Sequence, residues 1–151
     1  MATTYIDLGY LRQAVSGNKS LMSELLTIFI DQATVIGDQL KDFLSKEDYD
    51  ALAREAHKFK STALSMGMSQ AADSLKRIEV IAKKLYVRSP QSGNDESAKR
   101  LYIGQIRGLT PEIDAWTDQN LSIKSLDNLI EFCKLHSLKA AEEARNLLPK
   151  K

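Results

Sequence analysis

Apolar residues recur at three- and four-residue intervals along nearly the whole chain. That spacing confines it to helices that each bury one face. Leu52, Ala56, Phe59, Ala63 and Met66 make one such stripe. Leu21, Leu25, Ile28, Phe29, Ile36, Leu40 and Phe43 make a longer one. Ala72, Leu75, Ile78, Ala82 and Leu85 make a third, and Leu101, Ile103, Ile106, Leu109, Ile113 and Trp116 a fourth. Three prolines and seven glycines in 151 residues leave little to interrupt them, and no β-branched run offers a strand instead. The expected fold class is all-α: an antiparallel four-helix bundle with a short N-terminal helix and an extra C-terminal helix. The short helix carries Leu8, Leu11 and Val15. The extra one carries Leu126, Leu129, Ile130, Cys133, Ala140, Ala144 and Leu147 on one side. The expected division is a bundle over 1–120 and a helical extension over 121–151, packed on the parent bundle because Ser122–Ser125 is a short connection.

Caps and breakers punctuate these stripes. Asp7, Asn18, Asp48 and Ser69 stand where N-caps belong, and Gly67 where a helix ends. Arg88 to Asn94 reads as a loop, after which Asp95 or Ser97 reopens helix. Thr110-Pro111 interrupts the fourth stripe, either as a kink or as a cap with proline at the first helical position.

Composition excludes several functions. A formal net charge of +1 argues for neither nucleic acid nor a membrane surface as partner. One cysteine, Cys133, rules out an internal disulfide and fits a reducing compartment. The first residues lack the basic and apolar segments of a signal peptide, and no stretch approaches the ~18 uninterrupted apolar residues of a membrane span. The expected location is the cytoplasm. Neither a Gly-x-Gly-x-x-Gly nor a Walker loop is present, so the chain is not expected to be an enzyme with its own ATP site or a complete kinase.

One side chain breaks the pattern. At roughly 100° per residue, His57 lies about 140° from the middle of the Leu52–Met66 stripe, which turns it to solvent. Lys60, Ser61 and Leu64 follow it at i+3, i+4 and i+7 on the same side. An exposed imidazole beside a lysine, a small residue and an unburied leucine can receive a phosphoryl group and a partner protein.

The run Tyr49-Asp50-Ala51-Leu52-Ala53-Arg54-Glu55-Ala56-His57-Lys58-Phe59-Lys60-Ser61 resembles the signature of histidine-containing phosphotransfer (HPt) domains. Ala56, His57 and Lys60 match that pattern, Phe59 replaces a usual leucine, and Gly67 falls at the helix-ending glycine. Leu75, Ile78 and Glu79 resemble the family's next helix, and Ile6 to Leu11 its first. Ser61 stands where the family usually has glycine. The resemblance covers about residues 5–118. It implies a phosphocarrier in a multistep histidine–aspartate relay. His57 would accept a phosphoryl group from a receiver-domain aspartate of a hybrid sensor kinase and pass it to the receiver of a response regulator.

Phosphoryl transfer needs in-line positioning and charge stabilisation more than covalent help. Lys60 is placed to reach the phosphoryl oxygens, with Lys58 second. Ser61 leaves room for a partner and offers a hydroxyl. Glu79, on the strength of the resemblance, takes the proton of the other ring nitrogen and fixes the tautomer. Leu64, Leu8, Leu11 and Lys58 are candidate partner contacts. The chain has no cofactor of its own in this reading; Mg²⁺ is supplied by the partner, and a monomer is expected. The alternative is a helical interaction module that keeps the bundle and transfers nothing.

The remaining polar residues read as structural. His136 follows Cys133 by three residues, but no orienting third group accompanies the pair. Two histidines and one cysteine are too few for a zinc site. Lys83, Lys84 and Arg88 read as a solvated helix end.

Overall fold

The computed structural model describes residues 5–89 and 96–148. The loop expected at Pro90–Asn94 and the Asp95 cap lie outside the described residues. Among the described residues there are eight helical segments: α1 (Leu8–Ala14), α2 (Lys19–Ala33), α3 (Ile36–Ser45), α4 (Tyr49–Ser65), α5 (Ser69–Arg88), α6 (Glu96–Arg107), α7 (Pro111–Gln119) and α8 (Ile123–Leu147). No strand occurs among the described residues.

The caps follow from side-chain chemistry. Asp7, Asn18 and Asp48 each accept from a backbone N–H three residues on, satisfying one of the donors a helix start leaves free. Ser69 does not cap: α5 starts on it, and the cap residue is Met68, which has no side-chain oxygen. Thr110 accepts from Ile113 N with Pro111 in the first turn, so that dipeptide starts a new helix rather than kinking one. Gly67 has φ +70°, the left-handed turn that ends α4, and a Cβ there would meet Asp7 Cβ at 2.4 Å.

Four rods enclose the core in the order α2–α3, α4, α5, α8. α2 and α3 continue each other across Thr34–Val35. α4 folds back along α3, with Phe59 stacked near Phe29, and α5 folds back along α4. α8 closes the square against α5, α2 and α3 and runs antiparallel to α3, as the pairs Lys41–Glu131 and Asp38–Lys134 show. Gly37 permits that approach, since a Cβ would lie 2.4 Å from Lys134 Cγ. α1 lies under one end, where Asp7 N donates to Met66 O and Glu143 of α8 accepts from the Tyr5 and Ile6 amides.

The expected fourth bundle helix is corrected here. Residues 96–119 do not build the fourth rod; α8 does. Leu126, Ile130, Cys133, Ala140 and Ala144 are fully buried in the same hydrophobic cluster as Phe29, Leu40, Leu52 and Leu75. α8 is therefore a wall of the bundle, not an extra layer beside it. In α6 only Ala98 and Tyr102 are buried, whereas Leu101 is exposed and Ile103, Ile106, Leu109, Ile113 and Trp116 are half-buried, so no member of the fourth stripe is fully buried and the element is peripheral.

The stripe on α2 also rotates. Phe29, Ile36 and Leu40 are buried as expected, but Leu21 and Ile28 are exposed, and Leu26, Ala33 and Leu44 take inner positions. The sequence there is apolar on two adjoining faces, so periodicity alone does not choose between them; packing against α8 does. The α2–α3 rod, Lys19–Ser45, is the one helical stretch among the described residues long and apolar enough to cross a membrane, by length and composition alone.

Candidate functional site

The α4–α5 hairpin brings its polar residues to one face. His57 is on α4 and Glu79 on α5, and the antiparallel packing sets Nδ1 3.1 and 3.2 Å from the two Glu79 carboxylate oxygens. The His57 side chain is 61% exposed and that of Glu79 only 7%. Among the described residues, Nε2 makes no hydrogen bond. The ring is thus held from below by one nitrogen while the other faces out.

Glu79 is the hub. Lys60 Nζ donates to Oε1 at 3.2 Å and Lys83 Nζ to Oε2 at 2.5 Å. Burial alone would raise the Glu79 carboxyl; the Lys83 hydrogen bond and charge, the His57 hydrogen bond and the Lys60 charge outweigh it and hold it below its ordinary value. A carboxylate so held stays ionised at neutral pH and accepts an imidazole N–H.

Lys60 rests on Glu79, one turn along α4 from His57. Lys83 was missed as a solvated helix end. It lies one turn beyond Glu79 on α5, the i,i+4 spacing of an ion pair, and that spacing was the available signal. Lys84 is buried too, paired with Asp114 and Asp118 of α7 at 2.5 and 2.8 Å.

Ser61 and Lys58 are exposed beside His57 on α4, and Leu64, half-exposed, follows one turn later. Leu8 is partly buried in α1. Leu11 is fully buried and is corrected from a candidate contact to a core residue, because α1 turns that side onto the bundle end. A Thr62–Gln32 hydrogen bond of 2.9 Å ties α4 to α2 next to Ser61. Ile28 on α2 and Val35 at the start of α3 stand either side of Gln32 in sequence and are both exposed, where the sequence pattern had placed Ile28 in the buried stripe.

On the other side stands α6. Tyr102, buried, donates its phenol to Asp50 of α4, which Arg54 also clamps at 2.9 Å. Lys83 Nζ sits 5.4 Å from the Tyr102 ring centroid. His57 and Glu79 line a cleft of about 500 Å³ between these elements.

The second histidine stands apart. His136 stacks on Phe132 at 3.9 Å, and burial pushes the Cys133 thiol up to about 11, against the Ser137 hydrogen bond, so Cys133 is not a thiolate near neutrality. Among the described residues no three His, Cys, Asp or Glu side chains group as a metal site. The sequence profile of the Hpt domain matches residues 24–116. Neither a curated protein nor a solved structure matches the chain.

Proposed function

The chain belongs to the Hpt domain family, and from that premise we propose that it is a phosphocarrier in a multistep histidine–aspartate relay, with His57 as the acceptor. The observation that carries this reading is a largely exposed imidazole whose Nδ1 is tied to a buried, ionised carboxylate. With the proton on Nδ1 and donated to Glu79, Nε2 keeps its lone pair toward solvent. That lone pair attacks the phosphorus of an aspartyl phosphate on a receiver domain. The P–Nε2 bond forms, the P–O bond to the aspartyl carboxylate breaks, and the carboxylate leaves with the electron pair. The ring gains positive charge as the bond forms, and Glu79 stabilises it through Nδ1–H. The same step in reverse, on the aspartate of a second receiver, returns the neutral ring.

The neighbours have distinct parts in this reading. Lys60 and Lys83 keep Glu79 ionised, and Lys60 is near enough to turn toward an arriving phosphoryl group. Ser61 is small enough to admit the receiver. Leu64, Ile28, Val35 and Leu8 supply apolar contact, and Lys58 supplies positive charge at the rim. Mg²⁺ belongs to the receiver: the one carboxylate at His57 already holds two lysines, an environment unsuited to a divalent cation. The donor is the receiver domain of a hybrid sensor kinase and the acceptor that of a response regulator, met by a monomer in the cytoplasm.

The test incubates the protein with phosphorylated receiver domains. Acid-labile, base-stable label is expected on the wild type and none on His57→Gln, with circular dichroism unchanged because the side chain is exposed. Label retained by that variant, or none on the wild type, refutes the carrier reading. The second result would favour the helical interaction module.

A further inference from the structure

We infer that α6 is a second docking wall, and that it selects which receiver domain reaches His57. The inference rests on the carrier reading above and adds a surface to it. α5 and α8 are neighbours in the bundle, and such neighbours need only a short connection, roughly 2–8 residues. The chain instead spends the stretch from Arg88 to Ile123 on two further helices, of which α6 lies beside the helix that carries His57.

α6 is held there firmly. Tyr102 is 4% exposed, bonds Asp50 on α4, and meets Tyr86 of α5 edge-on at 5.4 Å. Lys83, which binds Glu79, also sits over the Tyr102 ring. Anchors on both α4 and α5 fix the distance between α6 and His57. The preceding residue, Leu101, is 57% exposed and lines the cleft with His57, Ser97 and Gln105. A leucine there adds little to the core and much to a contact surface.

The occupant is the receiver itself. The cleft is continuous with the His57 site, since His57 is part of its lining. Arg54 and Lys83 outnumber Glu79, the carboxylate in that lining; Lys83 is paired with Glu79, and Arg54, paired with Asp50 outside the lining, leaves the rim a positive excess that suits a partner bearing a phosphorylated carboxylate. Size makes the contact hard to avoid. A standard interface covers about 800 Å² on each side, a patch of roughly 16 Å radius. Any body centred on His57 with that footprint also covers the far wall of the cleft.

The experiment compares Leu101→Asp with the wild type in two reactions. In the first, a panel of phosphorylated receivers donates to His57. In the second, the small donor phosphoramidate does so: Nε2 bonds to phosphorus, the P–N bond breaks and ammonia leaves. The expected result is at least a tenfold lower second-order rate from the receivers, unequal across the panel, with phosphoramidate labelling unchanged. Equal rates for variant and wild type, with receivers that do phosphorylate the wild type, overturn the role of α6 and leave the carrier reading standing. A wild type that accepts from phosphoramidate but from no receiver overturns both. Lost phosphoramidate labelling in the variant shows that the change reached His57 itself, and also overturns the inference.

Discussion

α8 and the α6–α7 excursion are attached to the protein in opposite ways. α8 lies beyond the span matched by the Hpt profile, yet it buries Leu126, Ile130, Cys133, Ala140 and Ala144 completely. α6 and most of α7 lie within that span, yet bury few side chains and hold on through polar contacts: Tyr102 to Asp50, and Lys84 to Asp114 and Asp118. The matched span contains His57 and Glu79, but the fold is completed outside it. A helix whose stripe is mostly alanine and leucine carries little sequence identity and much packing.

Removing α8 is expected to have the largest effect. Each fully buried leucine or isoleucine contributes roughly 1.5–3 kcal/mol, and a domain's whole stability is about 5–15 kcal/mol. A chain ending at Asn120 should therefore lose its cooperative thermal transition by circular dichroism. Ile130→Ala alone should cost about 2–5 kcal/mol. A truncated protein that still melts cooperatively near the wild-type temperature would show that the bundle closes without α8.

Much of this was legible in the residues. Capping chemistry is local, so Asp7, Asn18 and Asp48 were readable and do accept the bonds expected of them, Thr110 takes the cap of its two readings, and Ser69, which also reads as a cap, falls one residue inside its helix. His57 was readable because it breaks a clean stripe. The choice of fourth rod was not, since the stripes of 101–116 and 126–147 are alike in period and only packing decides which enters the core. The turn of α2 was hidden for the same reason: Leu25-Leu26 and Ile28-Phe29-Ile30 offer two apolar faces. Lys83 and Lys84 looked solvated because their carboxylates are in part distant in sequence. Glu79 is one turn away, whereas Asp114 and Asp118 are on another helix.

Alkaline pH should loosen the excursion first. Burial, with the Asp50 contact adding to it, pushes the Tyr102 phenol up to about 12. Lys84 is also raised: burial pulls it down, but its bonds to Asp114 and Asp118 prevail. In both cases the folded state keeps a proton that the unfolded chain loses near pH 10 to 10.5, so the stabilisation is complete below that range and declines as pH rises through the folded values. For Tyr102 the loss is ~2–3 kcal/mol between pH 10 and 12. Trp116, the single tryptophan, is on α7 with Arg77 4.3 Å from its ring centroid, and reports this locally. Its emission should shift above pH 10 before helical ellipticity falls, and Lys84→Met should bring the shift to lower pH. Simultaneous change of both signals would mean that the excursion and the rods unfold as one unit.

The smallest expected effect is in acid and belongs to the hairpin. Glu79 sits below its ordinary value, so its contribution is complete above pH 4.5, the unfolded value, and is lost as pH falls through the folded one. Glu79→Gln keeps an acceptor for Nδ1–H but removes the charge that Lys60 and Lys83 share. Its cost at pH 7 should be about 1–2 kcal/mol, that of charge-assisted hydrogen bonds partly replaced by neutral ones. On acidification the wild type loses this contribution and the variant has none to lose. The gap between their urea midpoints should therefore be widest at pH 7 and close toward pH 3. Asp38 and Asp118 are also lowered, but they titrate in both proteins and cancel in the difference. A gap that stays constant with pH would mean that the variant's cost is one of shape, and that Glu79 holds His57 by packing rather than by its charge.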